Sequence, residues 1–182
     1  VGLGQEFDME FFLQSREDYR RIRGQLQQQN VLWLLPYVEE QFRRQYLPEM
    51  EAEIEKGLQK LAKVLEKKSY FVVSSSLNHK LAEVPWKKML LKKERFVAPC
   101  GDWTKKQCPD GCEEGIQTVT EADEEQLQES FKKLQTNGFS VPDLGKCPKC
   151  GKKLVLNNVY AGRYDEKGYL KTWTEYQNWL QN

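Results

Sequence analysis

Apolar residues recur every three or four positions over most of the first seventy residues, and this spacing predicts a run of helices. Phe7, Phe11, Phe12 and Leu13 form a short apolar anchor or helix start. Ser15 with Asp18 three residues on reads as a capping signal for a helix from about Arg16, with Tyr19, Ile22 and Leu26 on one face. Val31 to Leu35 is an apolar run expected to be buried, ended by Pro36. Proline suits a first helical turn, so Pro36 is placed at the opening of the next helix, whose stripe is Val38, Phe42 and Tyr46. Pro48 either kinks that helix or starts another. From Pro48 to about Lys67, Met50, Ile54, Leu58, Leu61 and Leu65 repeat at helical spacing between Glu and Lys, which gives a helix of roughly 30 Å. Packing into a core is the expected use of that stripe, with a partner helix as the alternative.

The second half alternates short apolar runs with polar turns. Tyr70 to Ser74 reads as a buried strand and Arg95 to Ala98 as a second, ending at Pro99-Cys100-Gly101-Asp102. Gly115 to Val119 and Lys153 to Asn158 are further strands. Between them Thr120 and Asp123 make a capping arrangement for a helix to about Thr136, with Leu127, Phe131 and Leu134 inward and Gly138 as its stop. After the turn Asp165-Glu166-Lys167-Gly168, Trp173, Tyr176 and Leu180 mark a last helix.

Two cysteine pairs sit in this second half, Cys108-Pro109-Asp110-Gly111-Cys112 and Cys147-Pro148-Lys149-Cys150-Gly151. Pairs two or three residues apart let the chain curl so that both sulfurs face one ion, and two such pairs supply the four thiolates of a tetrahedral zinc site. Gly111 and Gly151 permit the positive φ that such a curl needs. Four ligands leave no open position for water, so Cys108, Cys112, Cys147 and Cys150 are read as a structural Zn²⁺ site. The fifth cysteine, Cys100, makes the count odd, which argues against a fully paired disulfide framework and for a reducing compartment. Each knuckle precedes a strand and a helix lies between them: a zinc ribbon with an insertion.

Composition narrows the classes. The 28 Lys plus Arg against 27 Asp plus Glu leave a net charge of +1, which gives no global attraction to nucleic acid or anionic membrane. The longest apolar run is far short of the ~20 residues that span a bilayer, and no basic-then-apolar signal pattern opens the chain. A cytoplasmic location is the expectation. The fold class expected is α+β: a mostly helical N-terminal half, two short strands and the four-cysteine ribbon. The divisions fall at 1–69, 70–102, 103–159 and 160–182.

The stretch from Tyr70 onward resembles the sirtuins, NAD-dependent protein deacylases, and most of all a divergent bacterial sirtuin-like subgroup. Sirtuins end one strand in a Thr-Gln-Asn-Ile-Asp or Thr-Thr-Asn-Val-Asp motif, where this chain reads Ser74-Ser75-Ser76-Leu77-Asn78. A later strand ends in His-Gly, or Gln-Gly-Asp in the subgroup, where Cys100-Gly101-Asp102 stands here. The cysteine pairs follow at matching places, and Glu175-Tyr176 and Trp179-Leu180 resemble the segment after the subgroup's zinc module. The resemblance implies a sirtuin-type parallel sheet beside the zinc ribbon. The departures are large. No Gly-Ala-Gly-x-Ser phosphate loop precedes Tyr70, Cys100 stands at the catalytic histidine position, and Ser76 and Asn78 replace the nucleotide-contacting Asn and Asp. The resemblance therefore implies a degenerate sirtuin plan that keeps the zinc module, has lost deacylase chemistry, and has no catalytic or cofactor-binding residues to name.

Other candidates carry two readings each. Cys100 is a small strand-end residue, or a nucleophile with His79, the only histidine, as its base. Lys105, Lys106, Lys149, Lys152 and Lys153 offset the charge of a zinc–thiolate centre, or are ordinary surface lysines. Lys87, Lys88, Lys92, Lys93, Arg95, Lys105 and Lys106 with Trp86 and Trp103 form a basic, aromatic region suited to nucleic acid, or a solvated face balanced by Glu113, Glu114, Glu121, Glu124 and Glu125. The aromatic residues from Tyr160 to Trp179 line a groove or fill a core, the latter being expected. The preferred function is a non-enzymatic, zinc-stabilised binding module whose partner is a protein. The alternatives are a residual NAD or ADP-ribose binder or weak deacylase relative, and a nucleic-acid-binding zinc ribbon.

Overall fold

The structure, a computed structural model, is described over residues 11–77, 93–112 and 115–181. Phe7, Asn78, His79, Trp86, Lys87, Lys88, Lys92, Glu113 and Glu114 lie outside the described residues. Residues 11–15 are helical and lead into α1 (Glu17–Gln28), α2 (Leu35–Tyr46) and α3 (Pro48–Leu65). Then come β1 (Val72–Val73), β2 (Phe96–Val97), β3 (Gly101–Gln107), β4 (Gln117–Thr118), α4 (Glu121–Gln135), β5 (Val155–Asn158) and α5 (Lys167–Gln181). The architecture is α+β, with a parallel β1–β2 pair and an antiparallel sheet ordered β4-β3-β5.

Pro36 sits in the first turn of a new helix as expected, and of the two readings of Pro48, a kink or a start, the structure has the start; in both places a missing N–H leaves nothing unbonded. The Val31–Leu35 run takes a 3₁₀ turn over Leu32–Leu34 and buries Val31, Trp33, Leu34 and Leu35. The start of α1 differs from expectation. Ser15 Oγ donates back to Phe12 O, and Asp18 accepts two bonds from Arg16 rather than closing a capping box. The Arg16 guanidinium in turn lies 3.5 Å from the centre of the Tyr46 ring. Two helices stop on left-handed asparagines, Asn30 at φ 56° and Asn137 at φ 62°. The N–H groups of Val31 and Gly138 then reach back to Leu26 O and Lys133 O, as in a Schellman turn. The left-handed residue after α4 is thus Asn137, with Gly138 one place later.

The largest departure is β3. The sequence points to a strand end at Asp102, whereas Gly101–Gln107 is the central strand of the antiparallel sheet. Its residues read as polar, but the buried ones find partners. Trp103 packs edge-on against Tyr37 of α2, while Lys106 and Gln107 are buried through hydrogen bonds. One apolar cluster runs from Leu13, Tyr19, Ile22, Leu26 and Phe42 through Trp103, Leu127 and Phe131 to Leu144, Leu154 and Leu156. Cys108 and Cys147 belong to it. Helices α1 and α2 therefore share one apolar cluster with β3, β5 and two of the four cysteines. Within α2, Glu40 is buried with Arg43, and its other oxygen accepts from Arg44.

The last helix also departs from expectation. No side chain of α5 is buried, so its aromatic residues do not fill a core. They form a half-exposed ladder in which Trp173, Tyr176 and Trp179 follow one another at ring separations of 5.3 and 6.3 Å. Phe71 beside β1 meets Tyr176 at 5.2 Å, and Trp179 Nε1 donates to Ser69 Oγ at 2.9 Å.

Candidate metal centre

Strand β3 delivers Cys108 directly after Gln107, and the chain curls so that Gly111 N–H donates to Cys108 O at 3.1 Å. Gly111 takes φ +66°, and a Cβ there would press against the Arg163 side chain. The second knuckle is a small hairpin. Lys146 bridges Lys153, Cys147 N–H donates to Lys152 O, and Gly151 N–H donates to Cys147 O, both at 2.8 Å. Gly151 takes the φ of +74° that closes the curl. These are the two glycines the sequence marks for that role. The first knuckle follows a strand as well as preceding one, a placement that the polar look of β3 hides.

The two knuckles bring Cys108, Cys112, Cys147 and Cys150 together, with all four sulfurs within 4.8 Å of one another. Cys108 Sγ and Cys150 Sγ are 3.5 Å apart, well beyond the ~2.05 Å of a disulfide bond. A tetrahedron of thiolates about 2.3 Å from one ion has edges of about 3.8 Å, so the spacing fits a four-coordinate metal. Cys108 and Cys147 are buried, Cys112 is half-buried and Cys150 is exposed.

The thiols share charge unequally. Burial alone would raise the Cys108 thiol, but the backbone N–H groups of Cys112 and Asp110 and the neighbouring thiols bring it down to about 7. Cys112 is pushed up to about 12, first because its hydrogen bond to Cys108 favours the protonated form. Cys150 is raised as well: the Lys152 N–H favours its thiolate, but desolvation and the Cys108 and Cys147 thiols outweigh that. One negative charge among four close sulfurs opposes the next, and a divalent cation removes that opposition.

Around the centre the lysines divide. Lys152 Nζ lies 2.7 Å from Asp110 Oδ2, an exposed ion pair that ties one knuckle to the other. Arg163 adds a bond to Asp110 O. Lys106, read in the sequence either as offsetting the charge of the centre or as an ordinary surface lysine, is instead buried against Asp123 and Leu144 O. Lys105 Nζ bonds Gly168 O. Sequence reasoning missed the buried polar set behind the centre. Gln107 donates to Arg163 O and accepts from Asn157 and from the Asp165 N–H. Asn158 donates to Trp33 O at 3.0 Å and so ties β5 to the N-terminal helices.

Cys100 is half-buried in the turn before β3, and burial raises its thiol. It stands apart from the four-cysteine cluster. Beyond it a cleft of about 400 Å³ lies between β2, the start of β3 and α5, bordered by Asp102, Lys105, Tyr164, Tyr169 and Glu175. Tyr164 and Tyr169 stack at 6.2 Å there, and Tyr164 donates to Pro99 O. Among the described residues no helix is long and apolar enough to cross a membrane. Comparison with family models, with curated proteins and with solved structures finds no match to this chain.

Proposed function

We propose that the chain is a non-catalytic binding module of sirtuin-like plan, held together by structural Zn²⁺ in a ribbon with an inserted helix. The observation that carries it is the meeting of four thiols from two glycine-curled knuckles within 4.8 Å. Sulfur-only donors favour zinc over hard cations, and four of them leave no position for a reacting water. Cys108, Cys112, Cys147 and Cys150 would hold the ion, and the ion supplies cross-linking rather than chemistry. The parallel β1–β2 pair, with Ser74-Ser75-Ser76 after one strand and Cys100-Gly101-Asp102 after the other, supports the sirtuin-like part. A thiol at the position that the family gives to its histidine supports the loss of deacylase chemistry. The half-exposed aromatic ladder of α5 suits a protein partner better than nucleic acid, and Lys106 is withdrawn from any basic surface by Asp123.

Metal analysis tests the centre, with one zinc per chain expected. Titration with NAD and with ADP-ribose tests the rest. No saturable binding is expected, and micromolar saturable binding would overturn the non-catalytic reading. That second reading, a residual nucleotide binder, draws its support from the cleft beside Gly101 and Asp102.

A further inference from the structure

The four sulfurs of the centre differ in access to solvent. Cys108 and Cys147 are only 4% and 2% exposed, whereas Cys150 lies on the outside of its hairpin. Nothing crowds the turn at Gly151, where an added Cβ would meet no atom within 4 Å. Cys150 Sγ is also in contact with Cys108 Sγ across the two knuckles, at 3.5 Å, although the residues are 42 apart in sequence. The Lys152–Asp110 pair holds the same two knuckles side by side without using any sulfur, and Arg163 steadies the first of them through Asp110 O.

We propose that the centre is also a hydroperoxide-sensitive thiol switch in which Cys150 is oxidised first and closes a disulfide onto Cys108, releasing the metal. The proposal rests on the metal-centre reading above. The Cys150 thiolate attacks one oxygen of the peroxide. An S–O bond forms, the O–O bond breaks and hydroxide leaves, so sulfur loses two electrons and the peroxide gains them. The Cys108 thiolate then attacks the Cys150 sulfur. The S–S bond forms as the S–O bond breaks, and a second hydroxide leaves. With two of four ligands gone the ion is lost, and Cys112 and Cys147 take up protons. Closure needs the two sulfurs to approach by about 1.5 Å, a side-chain movement rather than a rearrangement of the sheet.

This pairing differs from the one that sequence spacing favours. Cys147 and Cys150 are near neighbours, and a bond between them would leave the two knuckles without a covalent or metal link, joined by the exposed Lys152–Asp110 pair. A bond from Cys108 to Cys150 replaces the metal's link between them with a covalent one. The oxidised chain therefore keeps its fold while giving up its ion, and a thiol reductant with added zinc restores the starting state.

The test uses the full chain carrying zinc, treated with one equivalent of hydrogen peroxide. Released zinc is followed with a chromophoric chelator, free thiols are blocked, and the linked peptides are mapped. One zinc per disulfide is expected, with the Cys108–Cys150 peptide at least about tenfold over any other pair: all four sulfurs are thiolates on the ion, Cys150 is the exposed one, and Cys108 is in contact with it at 3.5 Å. Far-ultraviolet circular dichroism is expected to be unchanged, and Cys100→Ser to give the same map. A first bond within either knuckle, oxidation of Cys100 ahead of the centre, or retention of zinc beside the disulfide would overturn the switch. Untreated protein without zinc would instead overturn the metal-centre reading, and the disulfide map from that same sample would still report the pairing.

Discussion

Lys106 Nζ lies 2.7 Å from Asp123 Oδ2, with both side chains more than nine-tenths buried. The pair joins the central strand to the first turn of α4. Asp123 also completes a capping box with Thr120, accepting from its N–H and hydroxyl while Thr120 Oγ1 accepts from the Asp123 N–H. One carboxylate thus starts the inserted helix and fixes it to the strand that carries Cys108. Asp123→Asn keeps the shape and a capping oxygen but strands the Lys106 ammonium. A loss of about 3–5 kcal/mol is expected, read from urea unfolding midpoints. Glu129→Gln, which breaks the exposed pair with Lys133 on the outer face of the same helix, is expected to leave the midpoint unchanged.

The same carboxylate sets a pH dependence. Burial raises Asp123, but the Lys106 ammonium and the Thr120 N–H and hydroxyl outweigh it and hold the group below its ordinary 3.8. A carboxyl lowered in the folded state stabilises fully above the unfolded value and loses that contribution as pH falls through the folded one. Melting temperatures measured from pH 7 down to 3 are therefore expected to drop more steeply below about pH 4 in the native chain than in Asp123→Asn. Parallel curves would refute this role.

Removal of the metal is expected to reach beyond the knuckles. Cys108 and Cys147 sit in the apolar cluster with Trp103 and Phe131, so loosening them opens the cluster that they share with α1 and α2. Chelation is expected to lower the melting temperature by more than about 10 °C, given several kcal/mol of holo stabilisation and ~2–4 °C per kcal/mol. A change in Trp103 fluorescence should accompany it. A melt unaltered by chelation would remove the structural role assigned to the ion.

Gly101 and Gly115 separate backbone strain from steric conflict. Both take positive φ, +70° and +86°. A Cβ at Gly101 would collide with the Asn157 carbonyl oxygen of β5, whereas one at Gly115 meets nothing within 4 Å. Gly115→Ala is expected to cost about 1–2 kcal/mol, the left-handed penalty alone. Gly101→Ala is expected to cost more, because the β3–β5 register must shift to admit the methyl. Equal midpoints for the two variants would contradict this.

What the sequence made legible follows from where side-chain patterns are local. Pro36, the Thr120–Asp123 box and the paired cysteines each act within a few residues, and each predicts its element, whereas Pro48 marks a boundary without deciding between a kink and a start. The strand at Gly101–Gln107 is hidden because Lys106 and Gln107 are buried by partners 17 and 56 residues away. A hydrophobicity pattern cannot see a lysine made compatible with the interior by a distant aspartate. Ser15 and Asp18 mislead for the opposite reason: the spacing of a cap is present, but Arg16 takes the carboxylate and Phe12 O takes the hydroxyl. The α5 aromatics have helical spacing either way, and only the neighbouring surface decides that they remain half-exposed.

The bond from Asn158 to Trp33 O closes a loop of 125 residues. Helices α1 and α2 are local and can form early, yet the sheet they share a cluster with is complete only when β5 pairs with β3. Pairings this distant in sequence are slow, because the entropy of closing the loop is lost before the contacts form. The apolar face of the early helices must wait, uncovered, for the last strand. Capture of the ion by Cys108 and Cys112 of the first knuckle, followed by Cys147 and Cys150 of the second, would shorten that wait. With the proposed ion bound, the centre would act as a clasp that sets the order of assembly as well as the strength of the finished fold.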